Sequence, residues 1–322
     1  MKVLLADDQR LARTIVTQWL RGWGYDVVAV TDGAAALAAL AADTALSLAV
    51  IDWEMPGVDG LEVCRRVRAL AAEPYTYLIL LTAHSDKDDV VKGLEAGADD
   101  YIVKPCNPLE LEVRLRAGRR IVELSRELTS ARESLRFEAT HDALTGLLNR
   151  RAVLARLDEE LSRAGRNGAP VTLALLDLDH FKRINDTYGH CVGDEVLKGV
   201  AARMRSAVRV YDAVGRFGGE EFVIVLPEAE VSGGLALSAR LGSVLGGDPV
   251  DTSVGPMQVT ASVGIASTRY MRGASAATLV RAADVALYRA KAAGRNRAEL
   301  AKAPDYVSEP APSPARAEAS SA

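Results

Sequence analysis

The first 118 residues alternate short apolar runs with amphipathic stretches, and this alternation limits the possible folds more than any other feature of the chain. Amphipathic segments such as LARTIVTQWLRGWG and GLEVCRRVRAL have helical spacing. The apolar runs between such segments have the length of buried strands: KVLLAD (2–7), LAVID (48–52), YLILLTA (77–83) and DYIVKP (100–105). Strands that alternate with helices pair in parallel, so we predict a doubly wound α/β sheet with ligands at the carboxyl ends of its strands.

The composition argues against several classes of protein. The chain has 322 residues, 49% of them hydrophobic, which is enough for two domains with separate cores. A net charge of -4 argues against a general nucleic-acid binder. Cys64, Cys106 and Cys191 lack disulfide or metal-site spacing, which indicates reduced thiols. No segment has the length of a signal peptide or a membrane span, so we expect a cytoplasmic protein without membrane or nucleic-acid partners.

Five polar residues stand at the ends of the predicted strands in this first region. They are Asp7, Asp8, Asp52, Thr82 and Lys104. Three carboxylates at one sheet edge repel each other unless a divalent cation lies among them. A hydroxyl and an ammonium group beside them suit the oxygens of a phosphoryl group. A single aspartate at a strand end is more often a cap or turn residue, so the combination carries the prediction of a site.

With the strings ADD, IDWEMPGVDG, LLTA and DYIVKP, residues 1–118 resemble the receiver domain of response regulators. The resemblance implies a flavodoxin-like fold that accepts a phosphoryl group from a histidine kinase or another phosphodonor. It implies one Mg²⁺, with these ligands: Asp7, Asp8, Asp52 and the carbonyl of Glu54. Asp52 would be the phosphoacceptor.

The same resemblance assigns the residues that respond to phosphorylation. Thr82 and Lys104 would bind the phosphoryl oxygens, and Tyr101 would be the switch aromatic residue. The Lys104–Pro105 bond would be cis, which only a bond to proline adopts at low cost. Cys106 departs from the family, which usually has an aromatic residue there.

Residues 109–140 carry a short heptad pattern. Its apolar positions follow 4-3-4-3-4 spacing with charged residues between them: Ala117, Ile121, Leu124, Leu128, Ala131 and Leu135. This seam predicts a helical coiled-coil linker. An amphipathic helix that packs on its own domain is the alternative.

Residues 141–300 form a second predicted domain of mixed strands and helices. Its strand candidates are residues 171–179, 213–217, 221–227 and 259–267. The segment 303–322 is rich in proline, alanine and serine and has almost nothing to bury. We therefore predict a disordered tail.

Two glycines and two glutamates, residues 218–221, interrupt an apolar run of this second domain. The order RF-GG-EEF predicts a strand, a tight turn and a second strand, with glycines that let a ligand approach the backbone. Glu220 would lie at the hairpin tip, close to Asp177 at the end of the neighbouring strand. Carboxylates around one point again need a cation, and Mg²⁺ commonly accompanies a nucleoside triphosphate.

Polar residues follow the strand that carries Asp177. Asn185 and Asp194 have side chains that can read the edge of guanine, although a capping and turn cluster is the alternative. Asp177 and Asp179 are two residues apart, and we expect them to point to opposite faces of a strand, so that only one faces the site. Lys291 and Arg295 are four apart on a predicted helix, so they would share a face and take phosphate charge, unless they are a solvated helix end.

Across residues 138–300 the chain resembles the GGDEF domain, the diguanylate cyclase family. The matching strings are HDALTGLLNRR, DLDHFKRINDTYGH, GRFGGEEF, SVGIA and ADVALYRAKAAGRN. The resemblance implies an α+β, nucleotidyl-cyclase-like fold. It implies that two GTP molecules condense to cyclic di-GMP with release of two pyrophosphates, each domain of a homodimer holding one GTP.

Site residues are also implied by this resemblance. One or two Mg²⁺ would be bound by Asp177, the Leu178 carbonyl, Glu220 and Glu221. Glu220 would be a metal ligand or the general base, and both roles stay open. The substrate-binding set would be Gly218, Gly219, Asn185, Asp194, Lys291 and Arg295, with Lys182 as a catalytic residue that stabilises phosphate charge.

The string RVYD (209–212) has the composition and spacing of the family's inhibitory product site. Five residues separate Asp212 from Gly218. Arg209 and Asp212 would bind the guanine of cyclic di-GMP, and Arg240 matches a further arginine of that site. An RxxD string by itself is more often a surface ion pair.

The two resemblances together predict a phosphorylation-regulated diguanylate cyclase with product feedback inhibition. The alternative is a catalytically silent response regulator that binds GTP or cyclic di-GMP and signals through a protein partner. A DNA-binding response regulator is disfavoured, because the chain offers no helix-turn-helix candidate and no basic output domain.

Overall fold

A computed structural model of the chain describes residues 1–70, 75–83, 86–271 and 273–306. The chain divides into two compact units, Met1–Ser134 and Leu135–Ala322. The division falls inside the predicted linker, and the boundaries 1–118, 109–140 and 141–300 stay predictions. In the part of the chain that is described, no helix is both long and apolar enough to span a membrane.

The first unit is a parallel sheet covered by helices, as predicted. Its strands have the order β2-β1-β3-β4-β5, and every pairing is parallel. Within the described residues the strands are β1 (Lys2–Ala6), β2 (Asp26–Val30), β3 (Leu46–Asp52), β4 (Tyr77–Thr82) and β5 (Asp100–Val103). The helices are α1 (Arg10–Gly22), α2 (Gly33–Ala42), α3 (Gly60–Ala69), α4 (Lys87–Glu95) and α5 (Pro108–Thr140).

The central strands are buried on both faces, which explains their continuous apolar sequence. Every residue of β3 and β4 is buried. At the start of α3, a Cβ on Gly60 would lie 2.4 Å from the carbonyl oxygen of Asp52. Glycine therefore lets α3 begin directly against the carboxyl end of β3, where Asp52 stands.

Helix α5 has 33 residues, so it is about 50 Å long. Its first half buries Leu111, Leu115, Gly118 and Val122. The predicted seam lies on the exposed surface, with Leu128 71% and Leu135 66% accessible. The face from Leu111 to Val122 therefore packs on its own domain, as the alternative predicted. The residues of the seam do not.

The second unit is an α+β fold around a mixed sheet. The sheet has the order β12-β11-β6-β8-β7, in which β12 is parallel to β11 and the other pairs are antiparallel. The strands are β6 (Thr172–Leu178), β7 (Ala213–Gly218), β8 (Glu221–Leu226), β9 (Val250–Thr252), β10 (Gly255–Met257), β11 (Ala261–Ser267) and β12 (Ala298–Leu300). The helices are α6 (Arg150–Asn167), α7 (Phe181–Tyr188), α8 (His190–Ala207), α9 (Val231–Gly246) and α10 (Ala276–Ala292).

The predicted start of the disordered tail needs a correction. Ala303–Tyr306 form a 3-10 helix, and Tyr306 is 2% exposed. The ring of Tyr306 and the ion pair between Asp305 and Arg289 give this segment buried contacts, which its composition did not indicate. The remaining tail positions, 307–322, lie outside the described residues.

Candidate functional site

Asp7, Asp8 and Asp52 come together at the carboxyl edge of the first sheet. One carboxylate oxygen from each lies within 4.8 Å of the others, and among the described residues this is the only such group. Asp7 is fully buried and its Oδ2 has no hydrogen-bond partner, although Lys104 Nζ is 3.9 Å away. Burial raises the pKa of Asp7, against the opposing effects of the Gln9 N–H and Lys104. Carboxylate oxygens that converge, one of them buried and without a hydrogen-bond partner, suit a hard divalent cation. The cluster is therefore a typical receiver metal site.

Of the predicted phosphoryl-binding residues, Lys104 contacts Asp52 directly, and Thr82 ends the strand next to the one that carries Asp52. Lys104 Nζ lies 2.6 Å from Asp52 Oδ2, and the Lys104–Pro105 bond is cis. Thr82 is buried at the end of β4. The backbone N–H of Glu54 donates to Asp52 Oδ1 at 3.3 Å. The role of the Glu54 carbonyl as a metal ligand stays a prediction.

Tyr101 occupies β5 and is partly buried. The guanidinium carbon of Arg114 lies 5.7 Å from the centre of its ring. Arg114 also pairs with Asp100 beside it. Tyr101 thus stands one strand away from Thr82, and its role as a switch residue stays a prediction.

In the second unit, the glycine–glutamate stretch forms a tight β-hairpin. Gly218 pairs with Glu221, so Gly219 and Glu220 form a two-residue turn between β7 and β8. Asp177 on β6 is the register partner of Glu221 on β8. The Leu178 N–H donates to the Glu220 carbonyl at 3.3 Å. The hairpin therefore brings three carboxylates from two neighbouring strands to one sheet edge.

These three carboxylates are electrostatically strained. Burial raises the pKa of Asp177, Glu220 and Glu221, and the Asp177 charge raises the pKa of both glutamates further. Lys291 Nζ lies 2.7 Å from Asp177 Oδ2 and acts in the opposite direction. Their oxygens do not converge as closely as those of the first unit, and one lysine supplies part of the missing positive charge. The donor set fits a divalent cation that would offset the remaining repulsion.

The predicted arrangement of Lys291 and Arg295 on one helix face is wrong. Helix α10 ends at Ala292, and Gly294 with φ 109° and Arg295 with φ 61° lie in the turn that follows. Glycine at this position ends the helix, because the left-handed conformation costs it no Cβ clash. Arg295 still lowers the pKa of Asp177 through its charge.

The two guanine-binding candidates lie on neighbouring helices. Asn185 is on α7 and Asp194 is on α8. A Cβ on Gly193 would lie 1.9 Å from Asn185 Oδ1, so glycine at 193 allows the asparagine to lie against α8 beside Asp194. Lys182 is exposed at the start of α7.

Asp179 has a structural role that the sequence did not reveal. Its carboxylate accepts hydrogen bonds from Thr260 Oγ1 and Ser262 Oγ, both at 2.7 Å, and from the Asn296 N–H at 3.0 Å. These bonds connect the end of β6 to β11 and to the turn after α10. Asp177 is left to face the glutamates, in agreement with the expectation that only one of the two aspartates would do so.

Arg216 supports the turn formed by Gly219 and Glu220, and it was also missed. Its Nε and Nη2 donate to the Gly219 carbonyl at 3.0 and 2.7 Å. Its Nη1 lies 3.2 Å from Asp142 Oδ1. Asp142 in turn accepts from both the N–H and the hydroxyl of Thr145. The string HDALTG carries two of these residues and was the available signal.

The RVYD segment lies in a loop beside an open cavity of about 690 Å³. Asp212 Oδ2 accepts from the Arg209 N–H at 2.9 Å, and Arg209 Nη1 donates to the Tyr211 hydroxyl at 2.8 Å. Two further arginines line the cavity, Arg156 and Arg205, together with His141. Arg240 donates to the Ala207 carbonyl, two residues before Arg209. An anionic ligand with hydrogen-bonding edges suits this lining.

The fold and the two sites define a signalling protein with a phosphoacceptor domain and a nucleotide-binding output domain. Residues 3–116 match the model of the response regulator receiver domain, and residues 139–297 match that of the diguanylate cyclase, GGDEF domain. The chain belongs to the response regulators that carry a GGDEF domain.

Known relatives share both parts of the chain or only the second. Response regulator PleD of Caulobacter vibrioides is 34% identical over 304 residues, which are 92% of this chain and 64% of PleD. Diguanylate cyclase DgcP of Pseudomonas aeruginosa is 44% identical over 169 residues, 52% of this chain and 25% of DgcP. This chain thus spans less than two thirds of either relative.

A solved structure resembles the second part of the chain. It contains the coiled coil and GGDEF domain of DgcB from Caulobacter crescentus in complex with c-di-GMP. The TM-score is 0.53 at 32% identity, and the match covers 59% of this chain and 99% of the DgcB chain.

Proposed function

We propose that this protein is a phosphorylation-regulated diguanylate cyclase that condenses two GTP into cyclic di-GMP and two pyrophosphates. The observation that carries the proposal is the hairpin that brings Glu220 and Glu221 beside Asp177. Three partly buried carboxylates with raised pKa values do not stabilise a protein core, but they are suited to binding a cation and a polyphosphate. Relatives that match this domain include named diguanylate cyclases.

Asp177, the Leu178 carbonyl, Glu220 and Glu221 would hold one or two Mg²⁺ in this domain, and Asp7, Asp8, Asp52 and the Glu54 carbonyl would hold one in the receiver. Bound Mg²⁺ would neutralise phosphate charge and help orient the reacting groups.

The chain's own residues then bind the nucleotide and move a proton. Asn185 and Asp194 bind the guanine edge, and Lys182, Lys291 and Arg295 take phosphate charge. In its role as general base, the alternative to its role as metal ligand, Glu220 accepts the proton of the 3′-hydroxyl. That oxygen attacks the α-phosphate of the second GTP and pyrophosphate leaves. The same attack by the 3′-hydroxyl of the second GTP on the α-phosphate of the first closes the ring and releases the second pyrophosphate. Gly218 and Gly219 leave the turn open to the phosphates.

The reaction needs two chains, because each domain holds one GTP. The exposed seam on α5 would pair two copies as a coiled coil. A short connection between paired helices and paired active sites raises the effective concentration of one loaded domain at the other to about millimolar values.

Phosphorylation of Asp52 would control this pairing. Its phosphoryl group would bind Thr82 and Lys104 and change the surface around Tyr101. A receiver domain implies a phosphodonor, and we propose a histidine kinase as its source.

Product would inhibit the enzyme at the cavity beside the RVYD loop. Arg209 and Asp212, with Arg240 nearby, would bind cyclic di-GMP, the ligand present in the DgcB structure. We predict that Arg209→Ala weakens product inhibition at least tenfold, by the loss of a charged hydrogen-bond donor worth about 1.5–3 kcal/mol. Initial rates with added cyclic di-GMP measure this, and an unchanged inhibition constant would contradict the assignment.

Incubation of the purified chain with GTP and Mg²⁺ tests the central proposal. Chromatography should detect cyclic di-GMP and pyrophosphate in a ratio of one to two. Asp177→Asn serves as the inactive control. Nucleotide binding without product formation would contradict the cyclase proposal and would support the alternative of a catalytically silent binding protein.

A further inference from the structure

The segment after β12 folds back over helix α10. Residues 300–306, which we call the C-terminal clamp, begin beyond position 297, where the match to the GGDEF family model ends. Tyr306 is 2% exposed and Asp305 is 7% exposed. An exposed tail end would not bury a phenol and a carboxylate, so this segment is an integral part of the second unit.

Two arginines of α10 hold the C-terminal clamp. Arg289 Nη2 donates to the Leu300 carbonyl at 2.7 Å and to Asp305 Oδ2 at 2.8 Å. Arg281 Nη2 donates to the Tyr306 carbonyl at 3.0 Å. The Nε atoms of both arginines are buried without a hydrogen-bond partner among the described residues. The clamp therefore supplies the hydrogen bonds that these two side chains make in the described part of the chain.

The clamp is also tied to the central sheet. The Tyr306 hydroxyl donates to the Ser267 carbonyl at 3.1 Å and accepts from the Ser267 N–H at 2.9 Å. Asp305 Oδ2 accepts from the Lys302 N–H at 2.6 Å, which fixes the carboxylate that faces Arg289. Burial alone would raise the pKa of Asp305, but the bonds from Arg289 and Lys302 give a net lowering.

Helix α10 has two separate anchors along its length. Its middle rests on β11, where a Cβ on Gly264 would lie 1.9 Å from the Ala283 carbonyl oxygen. Its last turn packs through Ala290, which is fully buried, and is held in addition by Arg289 through the clamp. Lys291 stands two residues after Arg289, about 200° around the helix, and bonds Asp177 at 2.7 Å.

We propose that the C-terminal clamp positions Lys291 for the triphosphate of GTP, with Asp305 and Tyr306 as positioning residues. The inference rests on the proposed function, because it assigns Lys291 to phosphate binding. When the clamp holds Arg289, the last turn of α10 stays in place and the ammonium group is presented to the site. When the clamp is broken, the last turn loses this restraint, so Lys291 is held less firmly and binds the triphosphate less well.

A double-mutant cycle in the full chain tests this coupling. The variants are Asp305→Asn, Lys291→Ala and the combination, with exposed Asp251→Asn as the matched control. Calorimetry with Mg²⁺ and a non-hydrolysable GTP analogue measures triphosphate affinity, and guanosine measures base affinity. We expect Asp305→Asn to weaken the analogue about three- to tenfold and guanosine not at all. In the Lys291→Ala background the same change should have no further effect.

Two results would overturn the clamp. One is an affinity of Asp305→Asn for the analogue equal to that of Asp251→Asn, whatever its melting temperature. The other is multiplication of the two single effects in the combined variant. Tyr306→Phe keeps the ring and removes the bonds to Ser267, so it repeats the test if Asp305→Asn folds poorly. A wild-type chain that binds the analogue without forming product would contradict the proposed function. The affinities of the variants for the analogue and for guanosine would still test the role of the clamp.

Discussion

Glu220 illustrates how a functional residue costs stability. Burial raises its pKa, and the neighbouring charges of Asp177 and Glu221 raise it further, against the effect of Lys291. At neutral pH the folded chain therefore carries this anion at a cost that the unfolded chain does not have. In the proposed reaction this cost is offset by function, because the same carboxylate would bind a cation or accept a proton.

We predict that Glu220→Gln stabilises the metal-free protein and abolishes product formation. The folded pKa lies above the unfolded one, so the stability linked to this carboxyl is complete below the unfolded pKa and is lost as pH rises through the folded pKa. The melting temperature of Glu220→Gln should exceed that of wild type at pH 8 by a few degrees. The difference should narrow as the pH is lowered toward the usual range of glutamate.

Thermal unfolding in a chelator from pH 8 to pH 5 measures the difference, with exposed Glu138→Gln as the control. A variant that melts below wild type throughout would show that the Glu220 anion is not strained.

Arg216 holds the turn formed by Gly219 and Glu220 through the geometry of its guanidinium group more than through its charge. A guanidinium donates to the Gly219 carbonyl through two nitrogens while a third faces Asp142. A lysine ammonium carries the same charge but cannot span these partners. We predict that Arg216→Lys lowers kcat about tenfold, because the turn with Glu220 is held less firmly. The KM for GTP should change less than twofold, since the guanine candidates lie on α7 and α8.

Steady-state kinetics of Arg216→Lys against exposed Arg166→Lys separate the two parameters. A selective rise in KM would place Arg216 in substrate binding and refute this role.

At the level of elements, the sequence revealed the strands that are buried on both faces. The runs behind β1, β3 and β4 are continuously apolar, so their assignment needed no tertiary information. Strand β2 was missed because it lies at the sheet edge and its residues are half exposed. The three-residue strand β12 depends on its pairing with β11, which no local pattern announces.

The candidate site could be predicted where a strand or turn has a strong local signature. The glycine turn predicted that Glu220 would lie close to Asp177, and the antiparallel pairing of β6 with β8 makes the next residue, Glu221, the register partner of Asp177. The expectation that strand alternation puts Asp177 and Asp179 on opposite faces was wrong, because residues two apart on a strand share a face. What separates them is the end of β6 at Leu178, after which Asp179 turns toward hydroxyls of a distant segment.

The α5 seam carries information on how two copies would pair. With Ile121, Leu128 and Leu135 at heptad position a, Glu127 falls at g and Arg132 at e of the next heptad. Neither side chain has a hydrogen bond or ion pair within the described residues of one chain, whereas Arg119 pairs with Glu123 earlier in the helix. In a parallel, in-register pair, each Glu127 would face the Arg132 of the other chain.

We predict that Glu127→Arg and Arg132→Glu each weaken the dimer about tenfold, because like charges would face each other twice across the symmetric seam. The double exchange should restore wild-type affinity. Analytical ultracentrifugation at low ionic strength provides the dissociation constants. A double variant no tighter than the single ones would contradict the parallel register.

At the scale of the whole molecule, the proposed regulation requires that phosphorylation of Asp52 changes how readily two cyclase domains associate. Each compact unit has its own core, so the receiver need not unfold or deform the cyclase to control it. A shift of the association equilibrium is sufficient, because one chain contains half of the proposed active site. A tenfold change in that equilibrium corresponds to about 1.4 kcal/mol, which a few contacts on a receiver surface can supply.

We therefore predict that beryllofluoride, which mimics the phosphoryl group on Asp52, lowers the protein concentration for half-maximal specific activity about tenfold. The plateau activity should stay the same, because the paired cyclase domains are identical once formed. Asp52→Asn should show no shift, and its plateau at high concentration should equal that of wild type. If beryllofluoride instead raised the plateau and left the midpoint unchanged, activation would be a rearrangement within an existing dimer, and association would not be the controlled step.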